Sequence, residues 1–386
     1  MAQERMTPDE RLWSALRLEK PDRTPVIPTL LPEPAAGLAG VPQAQVASDN
    51  RAAVRAVFEV FDRVGGWDNP YPASYKPIQL QASGVFPMKI RIPGVDLDDR
   101  TPFQLEEREV LEPEDFEKIA EMGFDVFYEE DFLWRVSDLT PETRAEEMQQ
   151  LITGGGMFLA ECAKRERKPF FLANGLHPFF ILSLMRSMVP FTHDVYFKPE
   201  PVERALRRMT TDLIEKQLRV VKQTGINIFM CSEERAGAFF FPPALFERFW
   251  WPYTREIVEA LWSEGIVTLF HLDTCWDENI PYFKQLPRGS AVLELDSTTD
   301  IFAAKEALRG HICLKGDVSA SLLSIGTADD VAAYCRRLID EVGGDGGFIL
   351  GSGCSVPPNA KLESFRAMIE TGRRYELSRD RPPGSG

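Results

Sequence analysis

Three residue types that bind zinc follow apolar stretches in the second half of the sequence. The apolar run 266–270 ends at His271, and Asp273 comes two positions later, so the two side chains lie on the same side of an extended segment. Cys354 follows a second stretch of this kind, GFILGSG at 347–353. Imidazole, carboxylate and thiolate groups all bind zinc, and an open fourth position would make such a site catalytic. We therefore predict a metal site at His271, Asp273 and Cys354; the alternative is a core histidine with an unrelated buried cysteine.

Acidic residues stand where two other strands are predicted to end. Glu233 and Glu234 are adjacent in CSEERAG, so only one of them can face the same side as the metal site. That residue is a candidate metal ligand or acid–base group, and the alternative is an ion pair with Arg235. Asp296 ends the strand AVLELD. The candidate catalytic residues are therefore Glu233, Glu234 and Asp296.

A further group of residues could contact a substrate. Two of them follow an early strand, two precede a helix in an aromatic stretch, and two lie in a long irregular region. Aromatic side chains at these positions could line a pocket for an aromatic or apolar molecule, although packing in the core explains them equally well. The candidates are Asn174 and His177, Phe239 and Phe241, and Trp67 and Tyr75.

The elements that must position these residues alternate regularly. Five predicted strands are each followed by a helical stretch, which is typical of a parallel sheet with helices outside it; they cover 226–233, 266–273, 291–296, 312–318 and 347–353. Earlier strands near 26–30 and 169–174, and one less distinct strand, bring the count close to eight. We predict a (β/α)8 TIM barrel, with a doubly wound sheet as the alternative. Carboxyl ends of barrel strands meet at one mouth, so the candidate residues would converge there.

The chain is predicted to form one domain. A single barrel would cover 1–376, with a loop-rich N-terminal extension and an irregular insertion at 66–104 over the mouth, and a disordered tail at 377–386. No Gly-x-Gly-x-x-Gly follows an early strand, which counts against a dinucleotide-binding domain.

Composition narrows the classes of partner and compartment. The net charge of −15, from 44 basic and 59 acidic residues, argues against nucleic acid or an anionic membrane as a partner. The charged N-terminus has no apolar segment typical of a signal peptide, and no run reaches the roughly 18 apolar residues of a membrane helix. Six cysteines in 386 residues indicate reduced thiols rather than a disulfide framework. We expect a cytoplasmic protein.

Several short motifs resemble one known superfamily. PDRTPVIP near the start, HLDT, KGDVS and the closing LGSGCSVPPNAKLESFRAMIETGR are similar to the uroporphyrinogen decarboxylase superfamily. The resemblance implies a (β/α)8 barrel and one of two chemistries. One is cofactor-free decarboxylation of uroporphyrinogen. The other is zinc-dependent methyl transfer to or from a corrinoid, as in methylcobamide:coenzyme M methyltransferases and O-demethylase components.

The motifs favour the methyltransferase branch. The decarboxylase branch carries Arg-Gln-Ala-Gly-Arg after its first strand, whereas this chain reads PTLLPEPAAG there, without an arginine. The methyltransferase branch binds zinc through His-x-Cys and a later Cys, which correspond to His271, Asp273 in place of the first Cys, and Cys354. The resemblance thus implies zinc on these three residues and a corrinoid carried by a partner protein, and it leaves a homodimer open.

The aspartate suits an oxygen donor, so we expect a methyl ether as the substrate. The alternatives are a uroporphyrinogen-decarboxylase-like lyase, a methylcobamide:thiol methyltransferase, another metal-dependent lyase or hydrolase, and a non-catalytic barrel with a structural zinc.

Overall fold

Six parallel strands form the larger sheet of the protein. The computed structural model describes residues 5–375, so the predicted disordered tail at 377–386 lies outside the described residues. The six strands are hydrogen-bonded in chain order. A separate two-stranded antiparallel hairpin consists of β1 (Lys89–Arg91) and β2 (Gln104–Glu106). The parallel strands are β3 (Ala173–Leu176), β4 (Ile228–Glu233), β5 (Val267–Leu272), β6 (Ala291–Leu295), β7 (Cys313–Val318) and β8 (Phe348–Ser352).

Two segments outside the six strands complete the circle between β8 and β3. The amide of Ile27 donates to the carbonyl of Leu350, and the amide of Leu350 donates to Pro25, so the segment 25–29 pairs with β8. The segment 68–71 follows, because the amide of Asp68 donates to Val26 and the amide of Phe170 donates to Pro70. Six strands and two segments make eight positions, and the prediction of a (β/α)8 barrel is confirmed.

The eighth strand position was indistinct in the sequence for a physical reason. It lies in DNPYP, within the predicted insertion 66–104. Proline has no amide hydrogen to donate, so Pro70 and Pro72 prevent a regular ladder there. The remainder of 66–104 contains helix α5 and the β1–β2 hairpin, and is therefore more ordered than predicted. That residues 1–376 form a single domain stays a prediction.

Helices surround the barrel. After β5 the predicted helix is a short 3₁₀-helix, Ile280–Gln285, with Pro281 in its first turn. A π-helix covers Tyr128–Phe132. The α-helices are α1 (Pro8–Leu16), α2 (Pro32–Ala39), α3 (Gln43–Ser48), α4 (Asn50–Arg63), α5 (Pro77–Ala82), α6 (Asp115–Met122), α7 (Phe124–Phe127), α8 (Leu133–Val136), α9 (Pro141–Lys164), α10 (Pro178–Arg186), α11 (Met188–Phe197), α12 (Pro199–Thr224), α13 (Pro243–Phe249), α14 (Trp251–Ser263), α15 (Ile301–Leu308), α16 (Ala320–Ile325), α17 (Ala328–Glu341) and α18 (Leu362–Arg374). Within residues 5–375, no helix is both long and apolar enough to cross a membrane.

The lower half of the barrel interior is apolar and closed by α1. Alternate side chains of the strands, including Val267, Leu269 and Ile349, form one buried cluster with Leu12 and Leu16 of that helix. Each fully buried aliphatic side chain contributes about 1.5–3 kcal/mol to the free energy of folding. Polar side chains begin only above this layer, so the opposite end, the mouth, carries the chemistry.

Candidate metal centre

The three predicted metal ligands converge at the mouth. Strand β5 carries His271 and leads into Asp273, and the turn after β8 carries Cys354. The Cys354 sulfur lies 3.5 Å from Nε2 of His271 and 3.2 Å from Oδ2 of Asp273. Nε2 of His271 is 3.4 Å from Oδ1 of Asp273. We call these three residues the metal triad.

The spacing of the triad suits a tetrahedral zinc ion. Zinc bonds of about 2.0–2.3 Å separate neighbouring ligand atoms by about 3.3–3.6 Å, close to the observed distances. Oδ1 of Asp273 is buried and accepts no hydrogen bond among the described residues. Burial raises the pKa of the Cys354 thiol, although the nearby His271 acts to lower it. A cation at the centre would satisfy the orphan oxygen and stabilise the thiolate, so the donor set fits zinc.

A buried carboxylate stands behind the imidazole. Oε2 of Glu294 lies 3.5 Å from Nδ1 of His271, which leaves Nε2 facing the other two ligands. Glu294 accepts hydrogen bonds from the hydroxyls of Thr29 and Tyr71 and from Nζ of Lys315, the last at 2.7 Å. A carboxylate in this position orients a metal-binding histidine and fixes its tautomer. These four residues form what we call the Glu294 cluster: Thr29, Tyr71, Glu294 and Lys315.

The Glu294 cluster is a fully buried ion pair inside the barrel. Burial alone would raise the pKa of Glu294, but Lys315 and His271 hold it well below its usual range. Burial lowers the pKa of Lys315, and Glu294 opposes that fall. Nζ of Lys315 also lies 5.0 Å from the centre of the Tyr71 ring. Both charges therefore compensate each other without contact to solvent.

The adjacent glutamates point in different directions. Glu233 faces the helix layer: one carboxylate oxygen accepts from the amides of Arg235 and Ala236, and the other accepts from the indole of Trp250. Its side chain is therefore committed to structure, which corrects its prediction as a catalytic residue. Glu234 is close enough to Asp273 and His271 for both charges to influence its pKa. Burial raises the pKa of Glu234 to about 7, and Asp273 adds to the rise.

Comparison with known proteins gives the family of this chain. Residues 172–375, from β3 to the end of α18, match the family model described as uroporphyrinogen decarboxylase (URO-D). That match covers more than half of the sequence and all three members of the metal triad. The chain belongs to the uroporphyrinogen decarboxylase family.

Individual relatives of this URO-D family member are distant. It is 24% identical over 225 residues to a uroporphyrinogen decarboxylase of Syntrophotalea carbinolica, which spans 58% of this chain and 59% of the relative. It is 20% identical over 180 residues to a methylcobamide:CoM methyltransferase of Methanosarcina acetivorans, spanning 47% and 51%. The chain thus matches only about half the length of these curated relatives.

A solved structure supports the barrel over most of the chain. A methyltransferase from Methanosarcina mazei superposes with a TM-score of 0.69 at 15% identity. The superposition covers 95% of this chain and 98% of the other protein. At this identity the likeness concerns the fold.

Within this URO-D barrel, Asp296 has a positioning role. Its Oδ2 accepts from the amide of Thr274, and its Oδ1 accepts from the amide and hydroxyl of Thr298. These bonds tie the turn after β6 to the turn that carries Asp273. These contacts give the carboxylate a supporting role in the loop, and its role as a catalytic group stays a prediction.

The two residues predicted beside β3 differ in environment. Asn174 pairs in register with Met230 of β4, and is exposed on the sheet face that also bears His271. His177 is fully buried instead: it caps α10 by accepting from the amide of Phe179, and its Nε2 lies 3.2 Å from the hydroxyl of Thr254. Burial lowers the pKa of His177 to about 3, so its ring is neutral. Asn174 stays a prediction, and His177 is corrected to a helix cap.

The predicted aromatic contacts are corrected in two of four cases. Trp67 is buried in the helix layer against Phe61 and Phe365, away from the mouth. Phe241 is 2% exposed and packs edge-to-face on Phe179. Phe239 is 67% exposed, and its contact with a substrate stays a prediction. Tyr75 donates its hydroxyl to Glu33 at the mouth.

Sequence reasoning missed the pairing of residues that forms the Glu294 cluster. Glu294 and Lys315 are charged residues in the middle of the apolar strands AVLELD and ICLKGDV. A charge inside a buried strand is the signal that could have identified them, because it requires a partner of opposite charge. The irregular second strand position hid the contact of Tyr71 with Glu294.

Proposed function

We propose that this chain is a zinc-dependent methyltransferase that moves a methyl group from an aromatic methyl ether to the Co(I) corrinoid of a partner protein, as an O-demethylase component. The observation that carries the proposal is the metal triad, whose three donors have tetrahedral spacing at the carboxyl ends of barrel strands. The methyltransferase relative and the solved methyltransferase structure support it. His271, Asp273 and Cys354 would hold the zinc.

Bound zinc would supply Lewis-acid polarisation of the ether oxygen. The Glu294 cluster keeps Nε2 of His271 aimed at the metal position, because its carboxylate faces Nδ1 of the same ring. The open mouth leaves space for the methyl donor and for a protein that presents the methyl acceptor.

Glu234 is the residue that could protonate the departing oxygen. Its carboxyl accepts no hydrogen bond and forms no ion pair among the described residues, and its pKa of about 7 lets it hold a proton near neutrality. A general acid works best when its pKa lies near the working pH. In this scheme the C–O bond breaks as the acceptor takes the methyl group, and the phenolate receives the proton of Glu234.

Uroporphyrinogen decarboxylation is the second candidate, because several relatives carry that name. That substrate bears many carboxylates and needs cations to bind it. The lysine inside this barrel, Lys315, is already paired with Glu294. Glu234 and Asp273 add negative charge at the mouth, which disfavours a polyanionic substrate. A thiol acceptor is a further alternative, which Asp273 in place of a cysteine disfavours.

Metal content tests the proposal directly. We expect about one zinc per chain in the wild type, and its loss in His271→Ala and Cys354→Ala with the fold retained by circular dichroism. His193→Ala and Cys275→Ala are matched controls, since His193 is exposed and Cys275 lies outside the triad. The zinc-loaded protein should then demethylate methoxyarenes with a Co(I) corrinoid protein, followed by the corrinoid absorbance. A wild type that binds no metal when zinc is supplied contradicts the mechanism.

A further inference from the structure

A buried carboxyl–phenol pair lies above the Glu294 cluster and is not used by the proposed chemistry. Glu33, in the first turn of α2, is 8% exposed, and its Oε2 accepts from the hydroxyl of Tyr75 at 3.1 Å. No lysine, arginine or histidine of the described chain forms an ion pair with Glu33. Its second oxygen, Oε1, accepts from no other residue in the part of the chain that the structure describes. A carboxyl in this setting has unused capacity to accept hydrogen bonds.

The backbone shows that the pair faces the mouth. Residues 71–76 belong to no helix or strand and connect the second barrel segment to α5, which begins at Pro77. Lys76 reaches outward to Glu147 of α9. Tyr71 points inward to Glu294, and Tyr75 follows it where the chain leaves the second barrel segment for α5. The chain leaves each barrel segment at its carboxyl end, so Tyr75 lies on the mouth side of the Glu294 cluster.

Glu33 follows the first barrel segment, as Tyr75 follows the second. Thr29 contacts Glu294 inside the barrel, and the chain then leaves the barrel through Leu31, the cap of α2, to reach Glu33. The first and second strand positions thus each contribute one residue to the Glu294 cluster and one to the pair above it. The pair therefore forms the wall of the mouth on the side of these two segments.

Burial of the Glu33 carboxyl costs folding free energy, and a ligand that donates a further hydrogen bond would offset this cost. Burial raises the pKa of Glu33 to about 7, because no cation offsets the loss of solvent. Burial and Glu33 together raise the pKa of Tyr75 well above its ordinary value, so its hydroxyl remains a donor. A buried carboxyl without a cationic partner is a candidate for a binding site. Above its pKa of about 7 the carboxyl is ionised, so it attracts a hydrogen-bond donor and repels an anion.

We propose that Glu33 and Tyr75 bind the end of the methyl donor remote from the metal, and select methoxyarenes that carry a hydroxyl or ammonium group there while rejecting carboxylates. The inference rests on the proposed function for the identity of the methoxy end. It adds to the proposed function the substrate specificity of the same site. In both cases, hydroxyl or ammonium, a hydrogen-bond donor without negative charge faces the carboxyl group of Glu33.

Binding to the zinc-loaded full-length protein tests the selection without any methyl transfer. The calorimetric probes, measured at pH 8 where Glu33 is largely ionised, are 4-methoxyphenol, 4-methoxybenzylamine, anisole and 4-methoxybenzoate. We expect the phenol or the amine to bind at least about tenfold more tightly than anisole, and the benzoate at least about tenfold more weakly. The tighter of the first two identifies the hydroxyl or the ammonium as the preferred group.

Substitutions test whether Glu33 and Tyr75 are responsible for the selection among the probes. Glu33→Gln should weaken the preferred probe about tenfold and remove the penalty on 4-methoxybenzoate, because an amide neither holds a negative charge nor accepts as strongly. Tyr75→Phe should weaken binding of the preferred probe. Glu247→Gln is the matched control, since Glu247 also accepts a tyrosine hydroxyl, that of Tyr282, but on the exposed surface.

Two results would overturn the inference: the same ranking of probes in Glu33→Gln and the wild type, or no binding of any probe. Zinc content and thermal stability, measured in each variant, exclude a damaged metal site or a misfolded chain as the cause. Selective binding without methyl transfer would instead contradict the proposed function and leave the pair as a binding site. Methyl transfer at equal rates from donors with and without the hydroxyl or ammonium group would support the proposed function and contradict the selection by Glu33 and Tyr75.

Discussion

At the scale of single residues, the metal triad depends on a carboxylate that does not belong to it. Glu294 faces Nδ1 of His271 while Thr29, Tyr71 and Lys315 hold it from behind. Four polar groups are thereby satisfied without solvent, and the imidazole is held in one orientation. Glu294 both neutralises the charge of Lys315 and orients the ring of His271. Substitutions can test these two roles separately.

Replacement of Glu294 by Gln tests that separation. We expect zinc affinity, measured by competition with a chromogenic chelator, to fall about 10–100-fold, because the amide orients His271 less well. The variant should also lose about 3–5 kcal/mol of stability, since Lys315 stays buried without a counter-charge. The double variant Glu294→Gln/Lys315→Met should regain most of the stability but not the affinity. Wild-type zinc affinity in Glu294→Gln would show that the carboxylate does not position the ring.

At the scale of elements, the irregular segment 68–71 must be held by side chains because its prolines interrupt the ladder. Asp68 does this: it binds Arg11 of α1 and Arg23, each at 2.7 Å, and accepts from the amide of Val26. Helix α1, the first barrel segment and the second are joined through one carboxylate. The barrel closes at this point through ion pairs as well as backbone hydrogen bonds.

We therefore expect Asp68→Asn to weaken barrel closure strongly. It leaves the buried guanidinium of Arg11 with less negative charge, so the free energy of unfolding should fall by about 3–5 kcal/mol in urea denaturation. Asp62→Asn is a suitable control: Asp62 is 57% exposed and pairs with Arg165, so its loss should cost less than about 1 kcal/mol. Equal effects of the two substitutions would contradict the role of Asp68.

At the scale of the whole molecule, several buried carboxyl groups make stability depend on pH. Burial raises the pKa values of Glu33, Glu233 and Asp317 to about 7, 8 and 6. A group whose pKa is higher in the folded than in the unfolded chain stabilises fully below its unfolded pKa, and that contribution is lost as the pH rises through the folded value. Burial lowers the pKa of His177, which acts in the opposite direction: its contribution is lost as the pH falls from about 6.5.

These carboxyl groups should therefore make stability decline as the pH rises from about 4.5 to 8, the interval between their unfolded and folded pKa values. Urea midpoints from pH 5 to 9 measure this decline. Glu33→Gln should flatten it by about 3 kcal/mol, the equivalent of the pKa rise at that site, whereas Glu247→Gln should leave it unchanged. A Glu33→Gln curve parallel to the wild type would refute the assignment.

Much of the fold and the metal triad could be predicted from the sequence. The strands of a parallel sheet are buried on both faces, so they appear in the sequence as apolar runs. The alternation of such runs with amphipathic helices therefore indicates a parallel sheet. The triad could be placed because residues at the carboxyl ends of such strands must meet. Side-chain direction was less accessible: of two adjacent glutamates, only the register of β4 with β5 shows that Glu233 faces the helices.

The sequence by itself thus determined the barrel class, the family resemblance and the donors of the metal triad, because these depend on local periodicity and on residue type. The tertiary structure decided that segment 68–71 completes the barrel, that Glu294 supports His271, and that Glu33 meets Tyr75. These contacts join residues far apart in the chain, and their partners are fixed by packing in three dimensions. A pattern of neighbours along the chain carries no information about them.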